Sequence, residues 1–315
     1  MPRSAPPVAL LVLLAACGDP PAPPAPAPAP AATAPAPIPV AAWPARTITL
    51  HSVGRPPLAP LRMPAAAATQ RLRFGSEAAV NGELGGAPVD AVRLQSARTL
   101  RVEVRPGPTA AQRALRFEVE RYHDEAGLPA PEQGAIDAAL TGTAGQWADD
   151  TRCAVTEAGA QPAPPPGDRL QQAILSGVVD LCPSLPAEDL GVGATWTTTV
   201  GGADPAAEHE VTSWTLLERD PGRVVLTFEL KSTRTGADGL QRVNLGEGRI
   251  ELREGLPLPY RADARGRATR TSTAAGQPLT TTTEWSMFVE TVVETVVENG
   301  AESGVEANAE PARAP

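Results

Sequence analysis

From Thr47 onward the dominant signal is an alternation of apolar and polar positions with a period of two. Leu100, Val102 and Val104 alternate with Arg101, Glu103 and Arg105, and Leu115, Phe117 and Val119 alternate with Arg116, Glu118 and Glu120. Val224, Leu226, Phe228 and Leu230 repeat the pattern against Val225, Thr227, Glu229 and Lys231. Successive side chains of a strand point to opposite faces, so this pattern predicts antiparallel strands with one face on a core and one in water. Turn-forming stretches separate the runs: RDPGR at Arg219–Arg223, TGADG at Thr235–Gly239 and AAGQP at Ala274–Pro278. Together they predict a meander of hairpins, with strands at about His209–Leu217, Val224–Arg234, Leu240–Leu252, Tyr260–Thr273 and Leu279–Phe288.

One segment has helical spacing instead. Leu170, Ala173, Ile174, Val178 and Leu181 fall on one face, Asp168 is placed to cap the start, and PSLP at Pro183–Pro186 ends the run. The spacing predicts a helix near residues 168–181, and a shorter helical turn over Pro131–Ala139. The terminal VETVVETVVE combines helical spacing with residues that favour strands, which leaves its conformation open. The fold class expected is mainly β: a curved antiparallel sheet, a half-barrel-like meander, with one packed helix closing its concave face. The domain is expected over residues 47–297, followed by a disordered acidic tail at 298–315.

The amino-terminal region has no such pattern. Val8–Ala16 is an unbroken apolar run of nine residues behind Arg3, the lone charge of the first seven positions. At about 1.5 Å of rise per residue it covers half of a ~30 Å hydrocarbon core, too little for a spanning helix and of the length of a secretory signal. Leu14-Ala15-Ala16-Cys17 resembles the lipobox of bacterial lipoproteins. The resemblance implies a signal peptide at residues 1–16, cleavage before Cys17, a diacylglycerol thioether on its sulfur and acylation of the new amino end. One acyl chain holds a membrane only weakly, and two or three hold it durably. Gly18–Pro44 is mostly Pro and Ala. In a polyproline II conformation of ~3.1 Å per residue, such a tract reaches about 80 Å from the bilayer. Residues 17–46 are therefore expected to be a lipidated cysteine and a tether, and the protein to sit at the cell envelope, anchored to a bacterial membrane and facing the periplasm or exterior.

Lipidation of Cys17 changes the cysteine count. Of three cysteines, Cys153 and Cys182 remain, and an exported pair is expected as a disulfide. Neither belongs to a CxxC motif, and no histidine lies near either in sequence, so a metal pair or redox couple has no support. The intervening GAQPAPPPGD (Gly159–Asp168) reads as a flexible loop.

Composition narrows the partners. A net charge of −9 and the absence of a basic stripe argue against nucleic acid. His51, His123 and His209 are far apart without HxH or HExxH spacing, and no G-x-S-x-G, G-x-G-x-x-G or P-loop occurs, so no catalytic residue, metal ligand or cofactor is assigned. Asp149 and Asp150 read as turn residues. Aromatics are 3 % of the chain, so its tryptophans are expected to anchor the core, with Trp43 in the tether as the exception. Trp214, opposite His209, Val211 and Leu217 on its strand, is expected to be exposed and available to a ligand or partner.

The stretch CPSLPAEDLGVGATWTTTV (Cys182–Val200), with a Pro-x-Leu-Pro element, a Val-Gly pair and a Trp, resembles a segment of uncharacterised bacterial lipoproteins, and LGEGRIELREG (Leu245–Gly255) resembles their Gly-rich strand. Those proteins are similar to half-barrel carriers of lipids or lipoproteins. The anchor, the tether, the half-barrel pattern and the absence of catalytic motifs together lead to the expectation of a non-catalytic envelope lipoprotein that binds a hydrophobic ligand or envelope component. The alternatives are a scaffold with a filled core and an unrecognised hydrolase.

Overall fold

The structure, a computed structural model, describes residues 40–123, 130–161, 169–201, 209–235, 241–274 and 277–292. Cys17, the expected leader, the greater part of the expected tether and the expected acidic tail lie outside the described residues. Three short strands come first: β1 (Ala41–Ala42), β2 (Arg46–Ser52) and β3 (Arg55–Ala59). The long hairpin of β4 (Ala68–Leu84) and β5 (Ala87–Pro106) leads to β6 (Gln112–His123), helix α1 (Ala130–Leu140), β7 (Ala144–Asp150), β8 (Val155–Gln161) and helix α2 (Arg169–Val179). After β9 (Leu190–Val192) and β10 (Thr195–Val200) comes the meander: β11 (His209–Asp220), β12 (Arg223–Thr235), β13 (Gln241–Arg253), β14 (Arg261–Ala274) and β15 (Gln277–Thr291). The β4–β5 turn is Gly85-Gly86, with φ of 59° and 84°, the left-handed pair that a two-residue hairpin loop of this hand requires.

Thirteen strands form one antiparallel sheet in the order β1-β8-β7-β6-β5-β4-β15-β14-β13-β12-β11-β10-β2, and β3 pairs with β9 apart from it. The chain is mainly β, with one large sheet that is not closed into a barrel. Its two edges are nevertheless close. β1 pairs with β8 on one edge and β2 with β10 on the other, and the segment joining them is Trp43-Pro44-Ala45. The four steps from Ala42 to Arg46 span at most about 14 Å. The sheet is therefore rolled far round, and this strap laces one edge to the other.

The inner face carries the core in rows of paired residues. One row reads Leu216, Leu226, Ile250, Ala262, Val289, Phe74, Arg98 and Tyr122 from β11 to β6. The next row outward reads Trp214, Phe228, Gly248, Ala264, Met287, Ser76 and Ser96, and the one beyond it Thr212, Leu230, Gly246, Gly266, Trp285, Ala78 and Leu94. Helix α2 seals the deep end, with Ile174, Leu175, Val178 and Val179 buried. The segment after it is buried as well: Trp196 donates its Nε1 proton to the Ser184 carbonyl at 3.0 Å, and Leu185 donates its amide to the Arg152 carbonyl at 2.9 Å.

The structure differs from five of the expectations. Trp214 is 8 % exposed, stacked on Trp196 at 6.2 Å between ring centres and tilted on Phe228 at 5.2 Å, with Nε1 donating to Thr198 Oγ1 at 3.1 Å. The core face of β11 is Thr212, Trp214 and Leu216. A bulge between Leu216 and Glu218 breaks the alternation, and Leu217, at 44 % exposed, faces out. Asp149 belongs to a strand instead of a turn, and it is buried. The sheet begins before residue 47, at β1, and Trp43 is packed against the core with its amide on the Thr156 carbonyl at 3.0 Å. Finally, Gly159–Gln161 of the expected loop belong to β8.

Candidate functional site

The strands of the meander and the β4–β5 hairpin outrun α2, and there the inner face stays apolar without being covered. Leu94, Val92 and Val89 on β5 are 53 %, 51 % and 48 % exposed. They stand in ladder pairs with Ala78, Val80 and Gly82 of β4 on the same face. Half-buried Leu230 and Trp285 extend the patch across the sheet. Burying the exposed half of each of the three β5 side chains is worth about 1 kcal/mol apiece. An exposed apolar surface of this kind is a candidate for cover by a ligand or a partner.

Trp285 shapes the floor of this surface. Its ring lies flat over Gly246 and Gly266: a Cβ on Gly246 would meet ring carbons at 2.9 Å, and one on Gly266 would come closer still. Its Nε1 donates to Asn244 Oδ1 at 3.0 Å, which fixes the ring in the plane of the sheet. The glycines of LGEGRIELREG therefore have a steric task here. They let Trp285 and, over Gly248, Phe228 lie against the backbone.

Where the open surface meets the sealed core stands Arg98. It is the charged member of the row that runs from Leu216 to Tyr122, and α2 covers it: a Cβ on Gly177 would approach its Nη2 to 3.4 Å and Phe74 to 3.6 Å. The guanidinium stacks on the Phe74 ring at 4.1 Å. Its Nε is buried with no hydrogen-bond partner. Burial pushes its pKa down to about 10, so it remains a cation at neutral pH. One row outward, the Ser76 and Ser96 hydroxyls share a hydrogen bond of 2.9 Å.

The outer face differs in kind. A broad depression of about 1020 Å³ there is bordered by charged side chains together with apolar ones such as Val211 and Leu245, and two of its charge pairs cross strands, Glu77 with Arg93 and Glu247 with Arg265. Exposed pairs of this sort belong to a solvated face and contribute little.

Cys153 and Cys182 lie at disulfide distance with Cα atoms 5.7 Å apart, both buried. Beside them Arg113 reaches Asp149 with two hydrogen bonds, Nε to Oδ1 at 2.8 Å and Nη2 to Oδ2 at 2.6 Å, and its Nη1 donates to the Pro257 carbonyl at 2.9 Å. Nη2 also lies 3.8 Å from both sulfurs. Burial pushes the Asp149 carboxyl up, and the Arg113 guanidinium opposes that shift. The cluster joins β6, β7, the loop before β14 and the segment after α2, and we read it as a structural clasp. Asp149, Cys153 and Cys182 are the one group of metal-ligating side chains gathered among the described residues, and sulfurs bonded to each other offer no thiolate to an ion.

His51 is exposed on β2, against Thr197 Oγ1 at 3.2 Å, and His209 is exposed at the start of β11. Cys17 lies outside the described residues, and no helix among the described residues is long and apolar enough to cross a membrane. No protein-family model matches the chain, and no curated protein matches it either.

Sequence reasoning misses Leu94, Trp285 and Arg98 as site residues. The signal for Arg98 is present: it is in phase with Leu94, Leu100, Val102 and Val104, a charge on the apolar face of its strand.

Proposed function

We propose that the chain is a lipid-anchored protein of a bacterial envelope that acts by binding, holding a hydrophobic ligand on the inner face of its sheet beyond α2. The observation that carries the reading is the exposed strip of Val89, Val92 and Leu94, continuous with the core rows and left bare where α2 ends. The lipobox-like Leu14–Cys17 and the Pro/Ala tract supply the anchor and the reach. Purification without detergent, followed by solvent extraction and mass spectrometry, is expected to recover a co-purified lipid. A clean apoprotein would count against a carrier. Cys17→Ser is expected to abolish incorporation of labelled palmitate and to leave the protein unanchored in cell fractionation. Unchanged labelling and membrane recovery would remove the anchor from the account.

A second reading has one observation in its favour. The space between α2 and the sheet is filled by Ile174, Val178, Phe74 and Leu72, as in a scaffold whose partner docks outside the core. In that case crosslinking in cells recovers one dominant protein on the same exposed strip, and the extracts contain no lipid.

A further inference from the structure

Arg98 is the feature that a merely apolar surface does not explain. A cation in an apolar row, with one donor sealed from water and no acceptor, costs stability unless something pairs with it. It has the face of Phe74 on one side, Tyr122 opposite in register and the last turns of α2 above, and among the described residues it makes no ion pair. The neighbouring row supplies two further polar side chains on the same face, Ser76 and Ser96, whose hydroxyls are joined to each other. From Arg98 to Val92 the inner face of β5 runs six residues, about 20 Å at the rise of a strand, through Ser96 and Leu94. That length matches an extended long acyl chain.

Resting on the binding reading above, we infer that the ligand is a long-chain carboxylate, seated head-in: its carboxylate on Arg98 and the Ser76–Ser96 pair, its acyl chain along Leu94, Val92 and Trp285. A single guanidinium with two hydroxyls suits a monoanionic carboxylate, which accepts a bidentate Arg. A phosphate ester carries more charge than this site neutralises. The arrangement also accounts for the unpaired state of Arg98 in the free chain, since its partner arrives with the ligand. Sites built for binding commonly cost stability in this way.

The test uses the full chain with Cys17→Ser, so that no acyl group of the protein's own competes, and isothermal titration with sodium oleate below its aggregation threshold. Methyl oleate serves as the uncharged comparison and dodecyl phosphate as the phosphate comparison. Oleate is expected to bind at least tenfold more tightly than methyl oleate. Arg98→Met is expected to erase that margin while leaving methyl oleate binding unchanged, and Arg98→Lys to keep most of it. Without ligand, the melting temperature of Arg98→Met is expected to equal or exceed that of the parent, whereas a merely structural arginine would lower it. Equal binding of oleate and methyl oleate, or an Arg98→Met chain that holds oleate like its parent, overturns the inference and leaves the apolar site standing. Tighter, Arg98-dependent binding of dodecyl phosphate overturns the carboxylate assignment. Failure of all three compounds to bind overturns the inference and the binding reading together.

Discussion

Asp149→Ala is expected to lower the stability of the folded chain by about 3–5 kcal/mol, the cost of leaving a buried guanidinium without its counter-charge. Both side chains of the Arg113–Asp149 pair are fully buried, so no water replaces the lost carboxylate. The Pro257 carbonyl, which accepts from Nη1, satisfies one arm of Arg113 and neutralises nothing. Replacing both partners, as in Arg113→Met with Asp149→Leu, is expected to cost far less than the single change, because apolar side chains of similar volume carry no desolvation penalty. Urea denaturation of the two variants beside the parent measures this. A single variant within about 1 kcal/mol of the parent would show that Arg113 finds another acceptor.

Removal of the neighbouring cysteine link comes second in size. Opening a covalent loop of 29 residues by Cys153→Ser with Cys182→Ser is expected to cost about 3–4 kcal/mol in the chain-entropy account. Both positions are buried, so reductant is expected to leave the folded protein unchanged and to act only after unfolding. Thiol labelling with and without urea tests that order of events, and the shift in urea midpoint gives the magnitude. Labelling of the native protein at the rate of a free thiol would contradict it. Because Arg113 Nη2 lies against both sulfurs, combining the cysteine changes with Asp149→Ala is expected to cost less than their sum.

The meander is legible almost residue for residue. Strands expected at Val224–Arg234 and Tyr260–Thr273 are found at Arg223–Thr235 and Arg261–Ala274, because each alternates apolar or small residues with polar ones and sequence rich in Gly and Pro interrupts the pattern between strands. Helix α2 is legible for the same reason, from one apolar face and a proline stop. The first half is less so. β4 mixes small, polar and apolar residues, and Gln70 is buried on its core face, where its amide serves the Leu258 and Pro259 backbone; a polar residue thus stands in phase with Leu72 and Phe74. In AGQWADD the alternation holds through Asp149, in phase with Trp147, and a carboxylate there reads as a turn unless its arginine, 36 residues earlier, is known. The sequence pattern puts Trp214 on the wrong face because apolar Val211 and Leu217 share the outer face of β11, while the core face mixes polar Thr212 with Trp214 and Leu216. The strap is hidden by composition: Ala41 and Trp43 sit in a proline tract, and their pairing with β8 depends on residues more than a hundred positions away.

The most direct measurement concerns Leu94, which is half exposed and makes the bare inner face apolar. Leu94→Glu places a charge on that face at a site where surface substitutions change stability by about 0.5 kcal/mol or less. Lipid extracted from equal amounts of the parent and of this variant, purified without detergent, is then compared by mass spectrometry. A bound lipid is expected in the parent and its loss in the variant, with melting temperatures that agree once lipid has been stripped from both. Equal lipid in both would contradict the account.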